Sequence, residues 1–173
     1  LLKELSVDYN QRTIKNTVNC TGIGLHSGHR VGLRLEPAPP DSGIKFIRED
    51  LSGHPEVQAN HKNVVDTNLS TTIGYNGYKI STTEHLMAAF FGLGIDNARV
   101  VLDGPEVPIM DGSSAPFIFL LKSAGIKEQN KPKNFIVIKK AFKVKDGNRS
   151  INIHPAKELK IDYTIDFDHP LLK

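Results

Sequence analysis

The stretch from Ile80 to Gly94 constrains the fold of this chain most, because it predicts a helix that begins directly where a β-strand ends. Ser81 is a favourable N-cap residue, and Glu84 follows it at the spacing of a capping box, in which each side chain satisfies a free backbone N–H of the other residue. Glycines at the end of the stretch supply the helix stop. The apolar residues that recur at helical spacing, and that predict a face turned toward a core, are Leu86, Phe90 and Leu93.

The first turn of this helix carries two groups that suit chemistry. Glu84 and His85 lie where exposed backbone N–H groups and the positive end of the helix dipole favour an anion or a developing oxyanion. The short segment 78–80 follows an Asn76-Gly77 hairpin turn, so the pair lies at the end of a strand, where α/β proteins often place their sites. A carboxylate beside an imidazole in this place can serve as a general base next to a zinc ligand.

A plainer interpretation of the same two residues stays open. A Glu three residues after a Ser at a helix start is usually only a cap, and a lone His is more often a surface or core residue than a ligand. Zinc-binding helices usually pair two His residues on one face, whereas positions 81 and 89 hold Ser and Ala. Any metal held by His85 must therefore take its other ligands from elsewhere.

Composition limits the class of protein. The 173 residues, 39% of them hydrophobic, suffice for one ordinary domain, or for one small domain and part of another. The 22 basic and 19 acidic residues form no basic stripe, so nucleic acid is not expected as a partner. A single cysteine, Cys20, cannot form an internal disulfide, and no leader or run of ~18 apolar residues is recognisable. We therefore expect a cytoplasmic protein without a transmembrane segment. Because the chain begins with Leu and ends just after a strand pattern, we also expect a piece of a longer protein.

Several further strands and a second helix are predicted. Residues 11–20 alternate as in a half-exposed strand, and the glycine-rich residues 21–28 predict a hairpin connection and not a dinucleotide loop, because the alternating residues 31–35 follow. His26 at the tip of this connection is either a turn residue or a group that reaches into a site. Other predicted elements are the strands 44–48 and 98–102 and the helix 115–124, which stops at Gly125.

Two domains are expected. We predict a first α+β domain over residues 10–130 and an incomplete second domain over residues 134–173, joined by a polar linker at 127–134. A small sheet with nothing to cover its apolar face is an unfinished domain. The alternating runs that predict an antiparallel three-stranded meander in the second domain are residues 135–144, 149–154 and 159–167.

Five motifs stand in order along the chain: GIGLHSG at 22–28, STTEHL at 81–86, GIDN at 94–97, PEVPIMDGS at 105–113 and IDFDHP at 165–170. Taken together they closely resemble the UDP-3-O-acyl-N-acetylglucosamine deacetylase family, the zinc amidases of bacterial lipid A synthesis. The resemblance implies two similar α+β halves of the ribosomal S5 domain 2-like type, each a sheet with two helices, stacked with the helices between the sheets. This chain would hold the first half and the opening strands of the second, whose remainder is expected to cover the helices.

The resemblance also implies an activity and a zinc cofactor. In the family a zinc-bound water attacks the acetamide carbonyl of a UDP-linked, acylated N-acetylglucosamine, and acetate and a free amine result. By motif match, Glu84 is the general base that activates this water, and His85 is one zinc ligand.

The same resemblance implies substrate-binding residues. Asp166 and Phe167 match positions of the uracil pocket, where Phe167 stacks on the base and Asp166 accepts the imide N–H. Arg149 is expected near the nucleotide phosphates. His26 and Leu25 are expected to line the edge of the metal cleft.

The family's other zinc ligands would lie beyond Lys173. The activity is therefore expected of the full-length protein, in the cytoplasm of a Gram-negative type of bacterium, and this chain alone is expected to be inactive. The alternative, from a different class, is a non-catalytic nucleotide-sugar-binding or scaffold fragment that kept the fold and lost the metal site.

Overall fold

A computed structural model of the chain describes residues 9–166 and residue 170. The chain divides into two compact units, residues 1–133 and residues 134–173. In the described residues, β-sheets and two α-helices occur together, which confirms the expected α+β class. Neither of these helices is long and apolar enough to cross a membrane.

The described residues of the first unit form ten strands and two α-helices. In chain order they are β1 (Asn10–Ile14), β2 (Val18–Ile23), β3 (Arg30–Pro37), β4 (Ile44–Arg48), β5 (Glu56–Gln58), β6 (Val64–Asp66), β7 (Thr72–Tyr75), β8 (Tyr78–Ile80), α1 (Glu84–Leu93), β9 (Ala98–Leu102), α2 (Ala115–Ala124) and β10 (Ile126–Pro132). The predictions for β4, β9 and α2 are confirmed with the expected bounds.

Five strands form the main sheet of the first unit, in the order β2-β3-β9-β4-β5. β4 and β9 run parallel, and the other neighbours run antiparallel. Because side chains alternate along β3, Val31, Leu33 and Leu35 are buried on one face of the sheet. On the other face, Arg34 Nε lies 2.7 Å from Glu36 Oε1 in an ion pair. The helices add to the same core the side chains of Leu86, Ala89, Phe90, Phe117, Leu121 and Ala124.

Two predicted hairpin connections are confirmed. β2 and β3 pair antiparallel across the glycine-rich turn, from Val18 opposite Leu35 to Ile23 opposite Arg30. β7 and β8 pair across Asn76 and Gly77, whose φ angles of 49° and 89° are the left-handed values that a two-residue hairpin turn requires. Local turn chemistry therefore places β8, and with it the start of α1.

The predicted single strand over residues 11–20 is wrong, because the chain turns between β1 and β2. The N–H groups of Lys15 and Asn16 donate to the carbonyls of Gly125 and Ala124, at 2.8 and 3.1 Å. These bonds satisfy carbonyls at the end of α2. The alternation continues through the turn, so the sequence pattern alone does not reveal the break.

The predicted linker at 127–134 is also wrong, because most of it belongs to β10, which pairs antiparallel with β1. β10 is polar and exposed except at Gln129, which is buried and accepts a hydrogen bond from Asn97 Nδ2 at 2.7 Å. Asn97 Nδ2 also donates to Gln11 Oε1, at 2.8 Å. This buried amide cluster of Gln11, Asn97 and Gln129 attaches the β1–β10 pair to the segment before β9.

The described residues of the second unit contain one hairpin, β11 (Phe142–Asp146) with β12 (Arg149–Ile153). The prediction of a three-stranded meander is wrong in two respects. Residues 135–141 are not a strand, and residues 159–166 form no strand either. A strand forms only where another edge accepts its backbone hydrogen bonds, and alternation in sequence does not supply that edge. The alternating apolar side chains remain exposed, as Ile161 does with 79% of its surface.

Candidate metal and substrate site

The start of α1 is fixed by the strand end that precedes it. The N–H of Ser81 donates to the carbonyl of Pro105 at 2.9 Å, and the carbonyl of Ser81 accepts from the N–H of Val107 at 3.0 Å. Ser81 thus extends β8 in a parallel bridge and cannot serve as the N-cap. The capping-box prediction is therefore wrong: the N-cap is Thr83, whose side chain makes no capping hydrogen bond. The predicted stop is confirmed, because Gly94 is the C-cap with a φ of 64°.

Thr82 makes the sharp change of direction between the strand and the helix. Its φ of 57° lies in the left-handed region, which a β-branched residue adopts only at a cost of roughly 1–3 kcal/mol. Thr82 is buried, and its hydroxyl donates to Glu106 Oε1 at 2.9 Å. The surrounding structure holds this strained residue immediately before the Glu84-His85 pair.

Glu84 is half-buried in the first turn of α1, and one of its carboxylate oxygens is held in place. The backbone N–H of Thr71 donates to Glu84 Oε2 at 3.0 Å. The carbonyl of Thr71 in turn accepts from the N–H and the hydroxyl of Thr83, at 3.2 and 3.1 Å. The loop before β7 therefore fixes the orientation of the carboxylate and the start of the helix together.

His85 carries a ring nitrogen in an unusual environment. Its Nδ1 is buried and has no hydrogen-bond partner among the described residues. A buried polar atom without a partner is uncommon in a native protein and calls for a functional explanation. Neutral imidazole nitrogens are common metal ligands, so the donor chemistry of His85 fits a zinc ion.

Asp111 is a carboxylate in the segment between β9 and α2. Hydrogen bonds from the hydroxyl and the N–H of Ser113, at 2.8 and 2.9 Å, hold the pKa of Asp111 below its ordinary value, and the positive charge that His85 can carry adds a smaller lowering. The side chain is exposed. In this segment Asp111 therefore serves as the acceptor of a local turn before α2.

The described residues do not contain a complete metal site. No group of three or more His, Cys, Asp and Glu side chains that could hold an ion occurs in this part of the chain. Catalytic zinc normally has three protein ligands and one open position. His85 can thus supply one ligand of such a site but not the whole set.

The tip of the β2–β3 hairpin, which carries Leu25 and His26, is tied to the same region by Glu106. The N–H groups of His26 and Ser27 donate to Glu106 Oε1 and Oε2, at 3.0 and 2.9 Å. Because Oε1 also accepts from Thr82, one carboxylate joins the hairpin tip to the turn before α1. The side chains of Leu25 and His26 are exposed beside this contact.

Glu106 is almost fully buried, with 2% of its surface exposed. Burial raises the pKa of a carboxyl group, but hydrogen bonds from His26, Ser27 and Thr82 outweigh burial here, and the pKa of Glu106 falls below 4.5. Glu106 is therefore ionised at neutral pH, with backbone N–H and hydroxyl groups as its donors.

The remaining predicted site residues belong to the second unit. Arg149 is the first residue of β12 and is exposed. In the strand register it lies opposite Asp146 of β11. Asp166 is exposed in an irregular segment. Phe167 lies outside the described residues. The structure thus brings Glu84, His85, Leu25 and His26 into one region of the first unit, and it describes Arg149 and Asp166 separately.

Sequence reasoning missed two residues of this region: Thr71 and Glu106. Glu106 lies in one of the motifs that carry the family resemblance, but nothing in the spacing around it indicates a contact with Thr82. One local signal exists for Glu106. A Cβ atom at Gly24 would collide with Glu106 Oε2, so the glycine-rich turn leaves room for a side chain from elsewhere.

The sequence that forms this fold and site matches a known family. The chain belongs to the UDP-3-O-acyl N-acetylglycosamine deacetylase (LpxC) family, whose model matches residues 11–173. This finding confirms the resemblance inferred from the five motifs.

Curated relatives agree with this assignment. Proteins named UDP-3-O-acyl-N-acetylglucosamine deacetylase from Myxococcus xanthus and Acidithiobacillus ferrooxidans are 53% and 55% identical over 165 and 163 residues. The matches cover 95% and 94% of this chain, and 52% and 54% of those proteins. The chain thus spans about half the length of the curated relatives it matches.

Proposed function

We propose that this chain is part of an enzyme that hydrolyses the N-acetyl group of UDP-3-O-acyl-N-acetylglucosamine, giving acetate and a free amine, in lipid A biosynthesis. The observation that carries the proposal is the unsatisfied Nδ1 of His85 beside the held carboxylate of Glu84. Family membership and the names of the relatives support the same substrate.

His85 is proposed as one ligand of a catalytic Zn²⁺, with the other ligands supplied by the rest of the full-length protein. When bound, zinc would polarise the amide carbonyl and lower the pKa of a water molecule. The support for this role is chemical, because a buried imidazole nitrogen that no group in the described part of the chain satisfies is available to an ion.

Glu84 is proposed as the general base that accepts a proton from the attacking water. Thr71 orients the carboxylate through Oε2, so Oε1 is the proposed proton acceptor. Free N–H groups at the start of α1 would favour the negative charge that develops in the transition state. This assignment gives the Glu84-His85 pair separate functions: one side chain moves a proton, and the other binds metal.

The substrate contacts are proposed from the family resemblance. Asp166 and Phe167 would bind the uracil, and Arg149 would lie near the nucleotide phosphates. Leu25 and His26 would line the edge of the metal cleft. Their exposure at a hairpin tip tied to the turn before α1 supports this position.

The remainder of the full-length protein is proposed to cover the two helices. Phe91 on α1 and Phe119 on α2 expose 69% and 73% of their surface, which is unusual for large aromatic side chains on amphipathic helices. We also propose that the enzyme acts in the bacterial cytoplasm of a Gram-negative type of cell, and that this chain alone is inactive because its described residues hold no complete set of ligands.

The substitution His85→Ala in the full-length protein tests the proposal. We expect zinc retention after dialysis and deacetylase activity to be lost together, because two remaining ligands hold a catalytic ion too weakly. His61→Ala, at an exposed His in the 3-10 turn His61–Asn63, is the matched control and should change neither measurement.

Two results would decide against this proposal. Unchanged zinc content in the His85→Ala protein would remove His85 from the ligand set. A wild-type full-length protein that binds the nucleotide sugar but holds no zinc and releases no acetate would favour the alternative, a non-catalytic nucleotide-sugar-binding or scaffold protein.

A further inference from the structure

Glu106 is a buried carboxylate whose partners are unusual for a buried charge. A charge taken from water normally requires an opposite charge or several hydrogen bonds. Among the described residues Glu106 takes part in no ion pair, so hydrogen bonds have to compensate its charge. Its donors are the N–H groups of His26 and Ser27 and the hydroxyl of Thr82. An amide or an apolar side chain could not accept from all of these groups, so the negative charge has a specific task here.

The backbone around Glu106 is attached on two sides. The N–H of Val107 donates to Ser81, at the end of β8, and the N–H of Ile109 donates to Ile23, at the end of β2, at 3.0 and 2.9 Å. The main chain thus links the last residues of two strands. The Glu106 side chain links the turns that follow those strands, which are the parts that carry His26 and the Glu84-His85 pair.

Thr82 connects the Glu106 carboxylate to the first turn of α1. Its left-handed φ of 57° is unfavourable for a β-branched residue, so the turn persists only because its surroundings hold it. The hydroxyl bond to Glu106 is one of those restraints. Because Thr82 precedes the N-cap Thr83 directly, a change at Thr82 would displace the first turn of α1, and with it Glu84 and His85.

The hairpin tip has its own adaptation to Glu106. A Cβ atom at Gly24 would overlap both Ser27 Oγ in the same turn and Glu106 Oε2, so the glycine leaves room for the carboxylate. Gly24 also accepts the N–H of Gly28 and donates to His29, both at 2.9 Å, which closes the turn around the carboxylate. The hairpin tip is therefore shaped to receive this side chain.

We propose that Glu106 is a positioning residue of the deacetylase site: its buried carboxylate sets the position of the His26 loop relative to the turn that aims Glu84 and His85. The inference rests on the proposed function, because Glu106 is proposed to position residues of that deacetylase site. Glu106 touches neither metal nor substrate in this role, and acts through Thr82 and the hairpin tip.

The experiment uses the full-length protein with Glu106→Gln, which keeps the shape of the side chain but replaces one acceptor oxygen with a donor. Amide hydrogen exchange should become faster both in residues 24–29 and in residues 81–86, because the carboxylate joins the two segments. The kcat should fall about 10- to 100-fold with KM changed less, since a small misplacement of catalytic groups has effects of this size. Zinc affinity, measured by competition with a chelator, should weaken about 10-fold, as it does when groups behind a ligand are altered.

Two variants at Thr82 keep the test independent of the stability of Glu106→Gln. Thr82→Val preserves shape and removes the hydroxyl, and it should lower kcat and zinc affinity in the same direction. Thr82→Ser keeps the hydroxyl and should retain both. The double variant Glu106→Gln with Thr82→Val should be less impaired than the two single losses combined, because both remove the same contact. Glu56→Gln, at an exposed carboxylate of β5, is the control and should match wild type.

The outcomes separate the two proposals. Unchanged exchange in either segment, or unchanged kcat and zinc affinity in a wild-type protein that is active, would overturn the positioning role while leaving the proposed function intact. Equal losses from Thr82→Val and Thr82→Ser would also overturn it, because the hydroxyl would then not matter. A wild-type protein without zinc or activity would overturn the proposed function, and the positioning role with it, even if exchange responds as expected.

Discussion

Glu84 has two possible tasks at the start of α1, and the structure allows them to be separated. The hydrogen bond from Thr71 is structural, whereas proton transfer needs a basic carboxylate. The substitution Glu84→Gln keeps an oxygen that can accept from Thr71 but removes the base. In the full-length protein we expect kcat to fall by a factor of about 10² or more with a smaller change in KM.

Thermal unfolding provides the control for the Glu84 prediction. Because the Thr71 contact can be kept, the melting temperature of Glu84→Gln should stay close to that of the wild type. A variant with normal kcat and a lowered melting temperature would mean that Glu84 only holds the loop before β7 to the helix.

Glu106 should make stability depend on acid pH. Its pKa in the folded protein lies below the ordinary value of 4.5, so its stabilising contribution is fully present above that value and is lost as pH falls through the folded-state pKa. In urea unfolding of the 173-residue chain, the difference in unfolding free energy between wild type and Glu106→Gln should be largest near neutral pH and should shrink below pH 4.5. Asp111→Asn, at an exposed carboxylate, should show a smaller difference because solvent screens its interactions. A difference for Glu106→Gln that is constant with pH would contradict this assignment.

At the scale of single residues, the sequence predicts those features that depend on neighbours in the same helix or turn. Gly94 as a helix stop and the buried Leu86 and Phe90 follow from spacing along one helix, and they are correct. The predicted cap at Ser81 is wrong because the segment around Pro105 and Val107 forms hydrogen bonds with the backbone groups of Ser81. This pairing joins residues that are distant in the sequence, so no local sequence pattern predicts it.

β10 should be important for stability despite its polar, linker-like sequence. Gln129 donates to the carbonyl of Ala38 at 2.8 Å and accepts from Asn97 at 2.7 Å. Gln129→Ala leaves both buried groups without this partner and should lower the unfolding free energy by about 1–3 kcal/mol, measured by urea denaturation. Asn130→Ala, on the exposed neighbour in the same strand, is the control and should stay within about 0.5 kcal/mol of wild type. Equal effects from the two substitutions would show that the amide cluster adds nothing specific.

Elements were predictable where their cause is local. The helix α2 is bounded by Pro116 in its first turn and by Gly125, and the β7–β8 hairpin by Asn76-Gly77. β10 was missed because its partner is β1, at the other end of the unit, and because an edge strand needs no apolar face. In the second unit the opposite error occurred, since alternation predicted a strand in a segment that has none.

The whole chain should show the behaviour of an incompletely covered protein. Phe91 and Phe119 are mostly exposed on the two helices, and Ile136, Ile151 and Tyr163 are mostly exposed in the second unit. We expect the 173-residue chain to bind a hydrophobic dye and to self-associate in sedimentation experiments. Substituting Phe91→Lys and Phe119→Lys together should reduce both signals, whereas Lys122→Glu, which changes charge on an exposed part of α2, should not. A monomer without a dye signal would mean that these side chains need no cover.

The place of β9 in the main sheet determines the order in which the first unit can assemble. β9 lies between β3 and β4 in the sheet, although four strands and α1 separate it from β4 in the chain. During synthesis, β3 and β4 are therefore made early, and each lacks its neighbour β9 until β9 leaves the ribosome. The β1–β10 pair closes later still, with the last strand of the unit. Such distant pairings slow folding, so the unit is expected to fold late and as a whole, with its apolar strands exposed to chaperones until then.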